Sequence, residues 1–394
     1  MVVLKNARIC RIAPWAALAI MPILILVTGF DSKNGFLRLV HFGQNFQDTR
    51  IQEIQKINLP NLTPWGYDGQ FYAQIAVDPS LRHEGLKKAT YGELAYRARR
   101  IGLPFLAFCL GMGQPFPILQ AYALLNFLFW ILLLITLNRY QKLNTSRGIL
   151  LAISIMWSTG TLTSLARSVP DLPAVAFSTW ALVSQSQTGA NLFIGVAALF
   201  KETAILSFPR VAWPERKGSN HGIRKYIISA LIVFGPVMIW SIYIYYHLST
   251  ETMLGSGNFQ FPFFGLFNKV LGSVKQLLDG FSHRIWMNLP FLFFELICPL
   301  SLLIQSVYMV IRFNTSSNAW KTGIGFVGLF CFLGAGVWGD QYAYSRVLLP
   351  LTVSFNFLIH EQETASSFRS WYLLGNAGMS WMCIETVFRS FFTL

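Results

Sequence analysis

Charge is what this chain has least of. Only 12% of its 394 residues are Asp, Glu, Lys or Arg, against 54% hydrophobic residues. Soluble domains carry about twice that charged share. No soluble fold of this length hides so much apolar sequence, which leaves an all-α, polytopic transmembrane bundle. Acids are scarcer than bases, 17 against 31, for a net charge of +14. Such an excess suits nucleic acid or cytoplasmic loops facing anionic lipid. The scarcity of acids everywhere favours the loops, and no nucleic-acid partner is expected. The five cysteines, Cys10, Cys109, Cys298, Cys331 and Cys383, contain no CxxC pair. Most sit within apolar runs, which argues against a disulfide framework or a thiolate metal site. The six histidines lack HxxxH spacing, so no zinc site is visible. No Walker or GxGxxG motif stands in a suitable context. No 20–50-residue repeat is evident, and no inverted repeat marks a secondary transporter.

Long apolar runs fill the remainder. Lys5, Arg8 and Arg11 precede one from Ile12 to Phe30. It is longer than a signal-peptide core and no A-x-A-like site follows it, so it reads as an uncleaved first span. Further spans are expected near 117–137, 149–166, 172–187, 226–246, 287–311, 322–338, 345–359 and 371–391, for about 9–11 membrane helices in a single domain over 1–394. Short loops carry Arg139, Lys142 and Arg147, then Arg210, Arg216, Lys217, Arg224 and Lys225, then Arg312 and Lys321. Short basic loops stay in the cytoplasm, which puts the N-terminus inside and the loops 31–116 and 247–286 outside.

Two stretches resist this scheme. Residues 101–112 are apolar but short, and suit an amphipathic helix on the outer face better than another span. Residues 189–213 form either one span or two short helices meeting at Lys201-Glu202. The second choice keeps the basic loop 214–225 in the cytoplasm and requires a protein-lined cavity at the tip. The segment 247–286 holds Gly255, Gly257 and Gly265 with Phe259, Phe261, Phe263, Phe264 and Phe267. This fits a lid over a lipid-facing cleft or an interfacial aromatic belt.

Charges beside apolar spans ask for a reason, since one at a helix centre costs about 2.5–3.5 kcal/mol on insertion scales. Asp68 lies in Gly66-Tyr67-Asp68-Gly69-Gln70-Phe71-Tyr72 of the first loop. It is a candidate general base or an ordinary Asp-Gly turn residue. Its glycines would let a ligand approach the backbone closely. Asp78-Pro79-Ser80 reads as turn chemistry. Arg167 and Asp171 either pair to close a short hairpin or line a pocket. Lys201 and Glu202 either neutralise each other or present Lys201 to phosphate oxygens. Arg346, following Asp340, either binds phosphate or snorkels to the interface. Glu295 and Glu385 are isolated within later spans.

The segments Tyr67-Asp68-Gly69-Gln70-Phe71-Tyr72 and Tyr96-Arg97-Ala98-Arg99-Arg100-Ile101-Gly102-Leu103-Pro104, with the outer arginines, resemble the GT-C glycosyltransferases. More closely, they resemble bacterial multipass proteins of cell-surface glycopolymer formation. The layout covers most of the chain; the motif-level likeness is confined to the first loop and Leu199-Phe200-Lys201-Glu202-Thr203. The resemblance implies a polyprenyl-phosphate-linked sugar donor and a glycan, lipid or protein acceptor. It implies a site on the extracytoplasmic face of a bacterial inner membrane. It makes Asp68 the base, with Tyr67, Gln70 and Tyr72 supporting it at the acceptor. Arg167, Lys201 and Arg346 become donor-phosphate residues, with Asp171, Glu202, Arg97, Arg100 and Asp340 nearby. Many family members pair two acids in this loop, whereas here Gly69 follows Asp68. No metal residues and no cofactor are assigned, and a divalent metal remains compatible with the lone acid. A lipid-linked glycan flippase or a noncatalytic envelope-assembly subunit is the alternative.

Overall fold

The computed structural model describes residues 2–60, 63–141, 143, 145–212, 223–248, 256–282 and 289–383. These residues are helical and contain no strand. Three helices, Pro115–Gln141, Ile223–Leu248 and Leu289–Ile311, hold apolar windows long enough to cross a bilayer. A fourth crossing arises if Ser146–Met156 and Thr159–Ala166 count as one span bent by 49°. That bend has a local cause. Trp157 ends one helix and Ser158 caps the next, its side chain accepting the Thr161 amide.

The first expected span falls on one continuous helix, Val2–Gly29, whereas the remaining ones are interrupted or short. A helix rises about 1.5 Å per residue, so Asp171–Val183, with 13 residues, falls short of a 30 Å hydrocarbon core. The run 322–338 breaks after Asn318–Phe332 and resumes as Ala335–Trp338. The run 345–359 divides into Gln341–Val347 and Leu349–Gln362. The last expected span starts earlier, as Ala365–Asn376, and residues 384–394, with Glu385, lie outside the described residues.

The turns sort to two ends of the bundle. At one end Glu363 accepts from Tyr308 (2.9 Å) and pairs with Arg312 (2.8 Å), while its carbonyl accepts Arg147 (3.1 Å). Ser317 donates to Glu361 beside them. At the other end the chain from 30 to 114 forms a cap of short helices. Its centre is Gly69–Val77, buried from Gly69 to Ala76. Two glutamines one turn apart tie this helix to the surrounding chain. Gln70 accepts from the Gly43 amide and donates to the Trp65 carbonyl. Gln74 accepts from the Ile51 amide and donates to the Ala89 carbonyl. Buried amides need such partners.

The helix Gly102–Leu110 has nine residues and turns back onto Pro115–Gln141. It is far too short to span, as its sequence suggests. The stretch from 187 also behaves as the two-helix reading expects. Gln187–Phe200 stops at Lys201, a 3-10 turn covers Glu202–Ser207, and Pro209–Ala212 follows. Arg210 then donates to the Ser184 carbonyl (2.8 Å), beside the start of the first arm. The two arms are therefore antiparallel. The 247–286 segment is less loop-like than expected, because Phe264–Ser282 is a 19-residue helix. Ahead of it, residues 258–263 zip onto 331–334. Gln260 donates to Phe332, Phe263 to Cys331 and Gly334 to Asn258, around an antiparallel bridge between Phe259 and Leu333.

Candidate functional site

A cavity of about 610 Å³ opens at the capped end of the bundle. Segments distant in sequence converge on it: Asp68–Tyr72, Glu93–Arg100, the tip at Lys201–Thr203, Asn258–Phe259 and residues 329–347. One wall is ionic, built from Asp68, Glu93 and Glu202 with five cations. The other is apolar: Phe259, Leu329, Leu333, Val337, Ala343 and Val347.

Asp68 precedes the buried helix Gly69–Val77, whose rigidity fixes its place. Arg97 donates to its Oδ1 at 3.1 Å, and Arg346 Nη2 lies 3.6 Å from Oδ2. The side chain keeps 40% of its surface open, on the cavity side. Burial beneath the cap pushes its carboxyl up. The Arg97 and Arg346 guanidiniums outweigh this and hold it below the usual aspartate range. Arg97 is itself fixed by Glu93 one turn earlier (2.7 Å) and by the Phe71 ring, 3.8 Å from its guanidinium carbon. The short helix bearing Arg97 is anchored by Trp240, whose indole donates to the Ala98 carbonyl.

Arg100 meets Glu202 through two parallel hydrogen bonds of 3.0 and 2.9 Å, the strong geometry of this pair. It also donates to the Tyr72 hydroxyl at 2.6 Å and to Tyr96 at 3.1 Å. Burial raises the Tyr72 pKa well above its ordinary value, so this phenol stays protonated. Asn258 donates to the same Tyr96 oxygen, linking the zipped segment to the ionic wall. Behind the wall, the buried Asp171 takes Lys201 on one oxygen and Arg346 on the other, the latter at 2.9 Å. Tyr67 donates to Asp340 (3.1 Å) and accepts from Arg346 (3.0 Å).

Two local pairings that the sequence left open are not formed, and longer-range ones take their place. Lys201 does not neutralise Glu202. Its backbone is extended, with φ −155° and ψ 118°, and successive side chains on extended backbone diverge. Lys201 therefore reaches Asp171 while Glu202 reaches Arg100. Nor does Arg167 close a hairpin with Asp171. Its guanidinium carbon lies 4.3 Å from the Tyr67 ring centre and 3.9 Å from that of Tyr342. Arg167 and Tyr67 do not line the cavity, whereas Lys201 and Arg346 do. Gln70 is buried and supports the loop from inside. The glycines also serve packing, not ligand approach. A Cβ on Gly66 would strike the His41 carbonyl, and one on Gly69 the Arg167 carbonyl. Glu295 is not isolated; Lys269 pairs with it at 3.1 Å.

Sequence reading passed over Asn258 and Glu93, and named Phe259 in the aromatic loop and Tyr96 in its cluster without assigning either to the site. Their only signal is proximity to the aromatic loop and to the Tyr96–Arg100 cluster. The three cavity carboxylates each face a guanidinium rather than one another. Among the described residues, no three His, Cys, Asp or Glu groups gather to hold a metal ion. Comparison with protein-family models, curated proteins and solved structures finds no match to this chain.

Proposed function

We propose that the protein is a membrane glycosyltransferase of GT-C type. It moves a sugar from a polyprenyl-phosphate donor to an acceptor at the extracytoplasmic face of a bacterial inner membrane. The observation that carries this reading is Asp68, open to a cavity with one ionic and one apolar wall. An amphiphile with a polar head and an apolar tail matches such a cavity. The two-ended distribution of turns supports a bundle with its N-terminus in the cytoplasm and Asp68 outside.

In this mechanism the acceptor hydroxyl attacks the anomeric carbon and polyprenyl phosphate leaves. Cations fixed in advance stabilise the charge that develops on the leaving oxygen. Arg346 and Arg97 are held in place by Asp171 and Glu93 before any substrate arrives. Asp68 orients the acceptor hydroxyl and takes its proton. Its lowered pKa makes it a weak base while both guanidiniums face it. A donor phosphate entering the cavity offsets the charge of these fixed guanidiniums and raises that basicity once the donor is bound.

The test is sugar transfer from polyprenyl-phosphate donors by purified protein, run beside Asp68→Asn. Equal transfer by both proteins removes Asp68 from the chemistry. A flippase or assembly subunit is the second reading. It is favoured by the two guanidiniums that already flank the Asp68 carboxylate.

A further inference from the structure

Five cations line the cavity: Arg97, Arg99, Arg100, Lys201 and Arg346. Four of them already hold carboxylates. Arg97 has Asp68 and Glu93, Arg100 has Glu202, Lys201 has Asp171, and Arg346 has Asp171 and Asp68. Arg99 differs. Among the described residues no carboxylate pairs with it, and its contact is the Tyr96 ring, 5.7 Å from its guanidinium carbon. That ring is held by hydrogen bonds from Arg100 and Asn258 to its hydroxyl. Arg99 is half-buried, so part of its surface is already out of bulk water.

The energetics separate these cations sharply. An anion binding Lys201 or Arg346 must displace a buried carboxylate, and a buried charge stripped of its partner is heavily penalised. An anion binding Arg99 displaces only water. Guanidinium is also the side chain best matched to phosphate oxygens. The apolar wall from Phe259 to Val347 shares this cavity, so the anion it suits carries a hydrocarbon chain.

We infer that Arg99 is the primary phosphate contact of this cavity, and that its ligand is a phosphate carrying a long hydrocarbon chain. Lys201 and Arg346 act as a pre-set electrostatic frame, and Arg167 as a clamp on Tyr67. This inference rests on the donor class proposed above, yet it is testable without sugar transfer.

The experiment measures binding of farnesyl phosphate to purified full-length protein in detergent, with farnesol and inorganic phosphate as parallel probes. Arg99→Gln should weaken farnesyl phosphate binding at least tenfold, and Arg99→Lys should restore part of it. Arg82→Gln, at an exposed arginine elsewhere on the cap, should leave affinity unchanged. Melting curves check that each variant is folded. Unchanged affinity in Arg99→Gln, or no binding by the unaltered protein, overturns the assignment. Farnesol binding as tightly as farnesyl phosphate removes the anion site, and inorganic phosphate doing so removes the lipid. If Arg99→Gln loses binding while the unaltered protein transfers no sugar, the phosphate site stands and the transferase reading falls. Sugar transfer unaffected by Arg99→Gln has the reverse meaning.

Discussion

Arg346 reaches two carboxylates at once: its Nη1 lies 2.9 Å from Asp171 and its Nη2 3.6 Å from Asp68. One guanidinium thus couples the exposed acid of the cavity to the buried acid behind it. A change at either acid is felt at the other through this shared cation.

Asp68→Asn preserves shape and removes the charge. Turnover should fall about 10²–10⁴-fold, the usual cost of losing a general base. Binding of lipid phosphate should persist. The readout is the ratio of transfer rate to donor affinity in the two proteins.

Asp171→Ala leaves Lys201 and Arg346 buried beside each other without their shared carboxylate. Removing one partner of a buried pair costs about 3–5 kcal/mol. A marked drop in melting temperature is expected. The double variant Asp171→Leu with Lys201→Met should recover part of it, because one stranded cation is gone. Additive losses would contradict the coupling.

The pH dependence follows from the lowered pKa of Asp68. Its folded value lies below the unfolded aspartate value, near 3.9. Its ion pairs therefore stabilise the fold fully above that unfolded value, and the stabilisation is lost as pH falls through the folded one. The melting-temperature gap between the unaltered protein and Asp68→Asn should be constant from pH 5 to 8. It should close in stronger acid. A gap that varies across neutral pH would contradict the assignment.

Gly69→Ala places a methyl against the Arg167 carbonyl, with the Val40 and Ser168 carbonyls at 3.1 and 3.2 Å. Backbone cannot rotate away as a side chain would. Overpacking of this kind costs about 1–3 kcal/mol. Lower thermal stability is expected, together with weaker turnover from displacement of Asp68. Unchanged stability would mean that the cap moves freely against the bundle.

Sidedness can be read with cysteines. Exposed Asp48 sits in the cap and exposed Thr364 at the opposite end. After Cys109→Ser removes the one exposed thiol among the described residues, Asp48→Cys should label from outside intact cells. Thr364→Cys should label only after permeabilisation. Labelling of both from one side would overturn the proposed orientation.

Much of the site's composition was legible in the sequence, but its pairing was not. Scarce charges beside apolar runs pointed to Asp68, Lys201, Glu202, Asp171 and Arg346, because charge in such places needs a purpose. Turn chemistry marked Asp78, which accepts the amides of Ser80, Arg82 and His83. The break at Lys201 followed from loop charge and segment length. What the sequence left open was the choice of partner. Adjacent residues invite local pairing, yet Arg100–Glu202 and Arg346–Asp171 join residues over a hundred apart. Such contacts are set by helix packing, which leaves no local trace. Element bounds were misjudged for a related reason. Hydropathy sees a continuous apolar run at 322–338, while the backbone breaks there to receive the 258–263 segment.

On the membrane topology proposed above, the turn at Lys201 also sets the direction of the rest of the chain. Because the chain doubles back there and Arg210 returns to Ser184, every later helix takes its heading from this reversal. Had the arm continued straight, the second half of the chain would enter the bilayer the other way up. Arg346 and Asn258 would then emerge on the side away from Asp68. The ion pair between Lys201 and Asp171 thus sits at the turn on which the placing of the second half relative to Asp68 depends.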